Sequence, residues 1–279
     1  MKTVKSSIEV QGNGLMTGVD ATVIIEPSET PNINFFIGDT KITADPNNVV
    51  STEHCVVLGD FNNLMGPKVA LVEHLMASFA ITGIDGVNVR FKNPNYEVAK
   101  LMQNAFEIPI LDGSARIWVK KLNEAGFVGD ENKTPTLNNT INFQKGNSFV
   151  TLTPSEGDTR IIYCVNYDHP DLQNVFATSD NIEEVTSART FGYLKDLDKL
   201  QAMGFSRGVT IDNTVGLKDV GYTTELRSVR EPNKHKILDI IGDLRLSGVN
   251  PFKIKANVIA CCAGHFMHVE ACKLLKEVL

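Results

Sequence analysis

Glu73 and His74 stand side by side in the otherwise apolar stretch Val72-Glu-His-Leu-Met-Ala-Ser-Phe-Ala80, and His235 stands four residues before Asp239 in His235-Lys-Ile-Leu-Asp-Ile-Ile-Gly-Asp243. Placing such side chains among apolar neighbours is costly unless they are paired or bind an ion. On a helix, positions four apart share one face with Cβ atoms about 5 to 6 Å apart, so His235 and Asp239 can reach one metal ion. Asp243 continues that face one turn on. A histidine beside a glutamate is the pairing that H-E-x-x-H metalloproteases use to set a base next to the attacking water, here in reversed order. Two histidines and an aspartate with a fourth position open make a catalytic zinc set rather than a structural one. Taken singly, each motif also reads as a satisfied core histidine or an ordinary helix pairing. Their recurrence in matching places, joined by His265 just after Gly264, favours a metal site. A histidine opening a helix at a cleft can act as acid or electrostatic stabiliser, with Asp243 available for its other ring nitrogen.

Residues so far apart in sequence need a fold that brings two halves together. The polar stretch Val128-Gly-Asp-Glu-Asn-Lys-Thr-Pro-Thr-Leu-Asn-Asn139 has linker composition and divides the chain into residues 1–128 and 140–279. Each half then repeats a pattern of histidine helix, Gly-Val-Asn turn and strand: Gly86-Val-Asn-Val-Arg-Phe91 answers Gly248-Val-Asn-Pro-Phe-Lys-Ile254. A glycine opens a second helix in both, at Asp112-Gly-Ser-Ala-Arg-Ile-Trp-Val119 and Ala263-Gly-His-Phe-Met-His268. The halves read as diverged copies of one α+β unit. The first is longer by a surface insert at 93–106, and the second carries a self-contained insert at 189–213, read as strand, helix and a strand at Gly208–Asn213. Hairpin turns are expected at Gly12-Asn-Gly14 and Gln144-Lys-Gly-Asn147.

Composition narrows the function. With 279 residues, 42% hydrophobic and 22% charged, the chain has the make-up of a two-domain globular protein. A net charge of -6 argues against broad nucleic-acid or anionic-membrane binding, so any phosphate contact must be local. Neither a signal peptide nor a transmembrane segment is evident, and a cytoplasmic protein is expected. Five cysteines without a C-x-x-C pair fit reduced core thiols.

Val72-Glu-His-Leu-Met-Ala, Ile108-Pro-Ile-Leu-Asp-Gly-Ser-Ala115, Arg189-Thr-Phe-Gly192, His235-Lys-Ile-Leu-Asp-Ile-Ile-Gly-Asp-Leu244 and Ala263-Gly-His265 together resemble the UDP-3-O-acyl-N-acetylglucosamine deacetylases, in order along nearly the whole chain. The resemblance implies two similar α+β domains, each a small sheet packed on two helices, with the active site between them. It implies that His74, His235 and Asp239 bind zinc, that Glu73 is the general base, and that His265 with Asp243 protonates the leaving amine. Thr190 would hydrogen-bond the oxyanion and Lys236 would meet the diphosphate of a UDP-linked acylated sugar. Phe191, Leu197 and Val209 would line the acyl passage, and Tyr167 falls where an aromatic residue faces the uracil. A monomer acting in lipid A synthesis is expected.

Departures from the family pattern cluster on substrate binding. Gly14-Leu-Met-Thr-Gly18 carries Met16 where histidine is usual, Cys262 replaces a lysine, Asn166 replaces an aspartate, and Ser228 and Arg230 precede Glu231. They motivate a second reading, a zinc deacetylase acting on another acylated sugar. A third, a silent nucleotide-sugar or lipid sensor, has no need of Glu73 and His265. His54 and His268 read as structural residues, His169 as a loop residue, and Trp118 as core. Acyl length, and zinc against iron, are not encoded in the motifs.

Overall fold

In the computed structural model, which describes residues 1–279, alternation of side chains builds two five-stranded sheets, beside smaller ones of two and four strands. Along Asp20–Pro27 the buried positions are Val23 and Ile25, and along Ser148–Pro154 they are Val150 and Leu152, the period of a half-buried strand. The first sheet runs Ile8–Asn13, Asp20–Pro27, Val87–Phe91, Ile33–Ile37, Thr40–Thr43. The second runs Ile141–Lys145, Ser148–Pro154, Ala256–Cys261, Arg160–Val165, Val175–Thr178. Their pairing is the same at every step: antiparallel, antiparallel, parallel, antiparallel. In both, the central strand is the one that enters after the histidine helix. The fold is α+β, built from two like units.

Seven α-helices accompany the sheets: α1 (Glu73–Thr82), α2 (Tyr96–Leu101), α3 (Arg116–Ala125), α4 (Ile182–Ser187), α5 (Leu194–Ala202), α6 (Glu231–Arg245) and α7 (His265–Val278). Helix α1 packs on α6 and α3, while α6 also packs on α7 and α4. Both α1 and α6 are buried on nearly every face, so the polar row His235, Asp239 and Asp243 of α6 faces the interior rather than solvent. At their crossing an added Cβ on Gly242 would lie 2.0 Å from the Glu73 carbonyl oxygen, so only glycine lets the two backbones meet this closely. One continuous core of 56 buried residues joins inner faces from both sheets with these helices, including Phe35, Phe79, Trp118 and Tyr163.

Several boundaries differ from the sequence reading. Residues 208–213 of the 189–213 insert form turns, and the strand that pairs in parallel with Thr190–Tyr193 is Thr214–Leu217. The Asn213 side chain accepts from Thr210 N–H at 2.9 Å and donates to the Gly208 carbonyl at 2.9 Å, closing a turn that overrides the local strand propensity. The 93–106 insert holds α2, but its end is not surface: Ala105 and Phe106 are buried in a strand, Ala105–Glu107, parallel to Lys68–Ala70. The first hairpin turns at residues 14–19, because Gly12 and Asn13 still pair with Ala21 and Asp20. Within the linker, Val128 pairs with Thr3 and Leu137 is buried. Among the thiols Cys55 and Cys272 are buried, whereas Cys262 is exposed rather than core, with its φ at 46°. No helix is long and apolar enough to cross a membrane.

Candidate active site

Helices α1 and α6 deliver the chemistry to one point. His74 Nε2 lies 3.7 Å and His235 Nε2 3.2 Å from the same oxygen, Asp239 Oδ1. All three residues are buried, and their candidate ligand atoms fall within 4.8 Å of one another. Asp239 Oδ1 has no hydrogen-bond partner, an orphaned buried acceptor facing two imidazole nitrogens. His235 donates Nδ1–H to the Ala188 carbonyl at 3.0 Å, which fixes the tautomer and leaves Nε2 with its lone pair for a metal. Burial, with the nearby His74 and Lys236, lowers the His235 pKa to about 4, so the ring is a neutral ligand. Burial alone would raise Asp239, but His235 and Lys236 beside it hold the carboxylate well below the ordinary range. This donor set fits a divalent zinc-like ion.

The position of the Ala188 carbonyl is itself secured. Glu231, fully buried in the first turn of α6, accepts from Arg189 N–H and Nε–H at 2.9 Å each and from Arg227 N–H at 2.7 Å. That anchor ties the start of α6 to the segment leading into Thr190. Thr190 N–H in turn donates to the Gly113 carbonyl of the first half at 2.8 Å.

Glu73 and His265 flank the triad. His265 Nε2 is 3.7 Å from Glu73 Oε1 and 3.9 Å from Asp239 Oδ2. Glu73 Oε2 accepts from Val56 N–H at 3.1 Å. Burial raises the Glu73 pKa despite the opposing imidazoles of His265 and His74, giving a carboxylate more basic than an exposed one. His265 donates Nδ1–H to Asp243 Oδ2 at 2.7 Å. Burial would lower its pKa, yet Asp243 and Glu73 outweigh this and raise it to about 9. A base and a protonated imidazole thus face one space.

That space is a cleft of about 240 Å³ bounded by Glu73, His74, Thr190, His235, Asp239 and His265, with Tyr167, Phe191 and Lys236 also on its wall. Lys236 is partly buried, its side chain 14% exposed, and its Nζ bonds Asp239 Oδ2 at 2.7 Å. Burial would favour the neutral amine, but Asp239 and the neighbouring Tyr167 keep its pKa above the usual lysine range. Tyr167 packs edge-on against Phe191 at 5.4 Å. An adjoining cavity of about 430 Å³ shares Thr190 and Phe191 with the cleft and is lined further by Met16, Leu197, Val209 and Ile211. Every residue to which the sequence assigned a metal, catalytic or substrate-binding role therefore reaches the cleft or this cavity, except Asp243, which contacts His265 from behind.

Three residues near the site were given no part in it by the sequence reading. His54 lines both cavities rather than lying apart from them. Glu107 receives the Met16 and Thr17 N–H groups at 2.6 and 2.9 Å and so sets the loop carrying Met16. His268, read as structural, bonds Asp243 Oδ2 at 2.8 Å and the Tyr163 hydroxyl at 2.8 Å. No local pattern marks these residues, since each partner is distant in sequence. His169 does stay in its loop, stacked on Tyr222 with Nε2 3.0 Å from the Gly221 carbonyl oxygen.

Known proteins resemble this chain over most of its length. A deacetylase from Nautilia profundicola is 33% identical over 89% of this chain and 83% of its own. One from Leptospira biflexa is 31% identical over 98% and 89%, and one from Haemophilus influenzae 32% identical over 100% and 89%. All three are named UDP-3-O-acyl-N-acetylglucosamine deacetylase. The family model described as LpxC, UDP-3-O-acyl N-acetylglycosamine deacetylase, matches residues 1–277. With a match of that extent and a site assembled from both halves, the chain belongs to the UDP-3-O-acyl N-acetylglycosamine deacetylase family.

Proposed function

We propose that this protein hydrolyses the acetamide of a UDP-linked 3-O-acylated N-acetylglucosamine, releasing acetate, as a step of lipid A biosynthesis in the cytoplasm. The observation that carries the reading is the convergence of Glu73, His265 and the His74, His235, Asp239 set on one cleft that opens into a second, largely apolar cavity. A nucleotide sugar bearing an acyl chain needs both spaces. His74, His235 and Asp239 would hold zinc, which when bound polarises an amide carbonyl and makes water more acidic.

The protein's own groups supply the rest. Glu73, made more basic by burial, accepts the proton of the attacking water. Thr190 stands at the cleft wall to donate to the oxygen on which charge develops. His265, held protonated and oriented by Asp243, gives a proton to the amide nitrogen, without which the amine is a poor leaving group. Lys236 provides the cation of the cleft for the diphosphate, and Tyr167 packs toward the nucleotide side. Phe191, Leu197 and Val209 flank the acyl chain in the adjoining cavity. Residues 1–128 and 140–279 are the two units, and the protein works as a monomer.

Metal content measured together with acetate release from the UDP-linked acylated sugar tests this. Stoichiometric metal with acetate release is expected. Release from another acylated sugar but not this one would favour the paralogous deacetylase that Met16, Asn166 and Cys262 suggested. Bound metal with no release from any acylated sugar would leave a sensor.

A further inference from the structure

Behind the cleft, Asp243 does not serve His265 alone. Its Oδ2 lies 2.7 Å from His265 Nδ1 and 2.8 Å from His268 Nδ1, while Oδ1 is buried without a partner. Asp243, His268 and Tyr163 are all fully buried. His268 reaches away from the carboxylate to the Tyr163 hydroxyl at 2.8 Å, and that hydroxyl is 2.7 Å from the Ala263 carbonyl oxygen. Ala263 immediately precedes Gly264 and the first residue of α7, His265 itself. The chain of contacts therefore begins and ends at the acid.

Counting protons fixes the roles. A carboxylate oxygen and a ring nitrogen can share a contact this short only if one of them carries hydrogen, and burial keeps His268 neutral with a single N–H. That hydrogen belongs on Nδ1, where it meets the anion. Nε2 is then an acceptor, supplied by the Tyr163 O–H, which has two acceptors for one proton. Asp243, His265 and His268 lie close enough to suggest a second metal set, but the two Nδ1 hydrogens satisfy both short contacts of the carboxylate without an ion.

We propose that His268 is a positioning residue for the hydrolytic reaction, holding the Asp243 carboxylate, through its Nδ1–H and with Tyr163 as backstop, in the one orientation that orients His265. The second oxygen of Asp243 has nothing to hold it, so without His268 the only remaining tether is His265. The acid would then orient its own support. Loss of such a supporting partner commonly costs about 10 to 100-fold in activity. This inference rests on His265 being the acid, and the test separates the two.

His268→Leu in the metal-loaded enzyme should lower kcat by about 10-fold or more while KM stays within about threefold, because the interaction supports the proton transfer and not ground-state binding. His268→Asn should recover most of kcat, since its amide nitrogen takes the place of Nδ1 and donates to the same oxygen. In proton NMR of the metal-loaded protein, the His265 Nδ1–H resonance should be sharp in the parent and in His268→Asn and exchange-broadened in His268→Leu. Should His268→Leu fail to fold, the Asn variant and Tyr163→Phe carry the test: Tyr163→Phe should broaden the His268 Nδ1–H signal. An unchanged His265 resonance with unchanged kcat in His268→Leu, or sharp His265 and His268 signals in Tyr163→Phe, overturns the proposal. A broadened resonance with normal kcat would uphold the positioning and remove His265 as the acid.

Discussion

Removing any one of His74, His235 and Asp239 should empty the site, because three protein ligands leave none to spare. Alanine at each is expected to lose most bound metal, and full stoichiometric zinc in all three variants would refute the assignment. Glu73→Ala differs in kind: the carboxylate bonds Val56 N–H and lies 3.7 Å from His265. It should keep the metal and lose about a hundred-fold or more in turnover, the scale of a general base. Near-normal turnover would make Glu73 structural. The pH profile follows in sign. Glu73 must be ionised and has a raised pKa, so the rate climbs with pH through a value above the ordinary carboxylate range. His265 must be protonated, so the rate falls as pH passes about 9. His265→Ala should abolish that falling limb; if the limb persists, the proton comes from elsewhere. At this scale the sequence was highly legible where partners lie within one helix, as with His235, Asp239 and Asp243. It was silent where they are far apart, as with His268 and Tyr163, which meet across 105 residues.

Among the elements, the crossing of α1 and α6 decides whether those side chains meet. Gly242→Ala would put a methyl group 2.0 Å from the Glu73 carbonyl oxygen, a clash with backbone that no rotamer change relieves. Forcing the helices apart should cost about 1 to 3 kcal/mol, the usual range for overpacking, seen as a lowered Tm. It should also weaken metal binding, since His74 rides on one helix and His235 with Asp239 on the other. Normal Tm and normal metal content together would show that the crossing tolerates displacement. The sequence displayed both helices through their apolar runs, yet gave no sign that Gly242 was a contact point. The misplacement of Thr214–Leu217 has a similar cause. Residues 208–213 carry strand-forming side chains, but hydrogen bonds of Asn213 turn the backbone there.

Across the whole molecule, one core joins both units, and the metal set draws on both. A ligand that binds only the folded chain stabilises it, by about 2.7 kcal/mol at a hundredfold excess over Kd. Chelation should therefore lower the midpoint of a single cooperative unfolding transition, read by fluorescence and by circular dichroism; two separate transitions would mean that the units unfold independently. Internal repetition was legible because the helix, turn and strand recur in order, while the identical strand order of the two sheets required the long-range pairings themselves. That identity has a consequence for symmetry. Helices α1 and α6 hold equivalent places in their units and cross each other directly, which is the self-complementary contact of a twofold homodimer. In such a dimer every side chain near the axis appears twice and must tolerate its own image. A single chain is free of that constraint: one helix carries Glu73 and His74, its counterpart His235, Asp239 and Asp243, so that a symmetric scaffold holds a single, asymmetric centre.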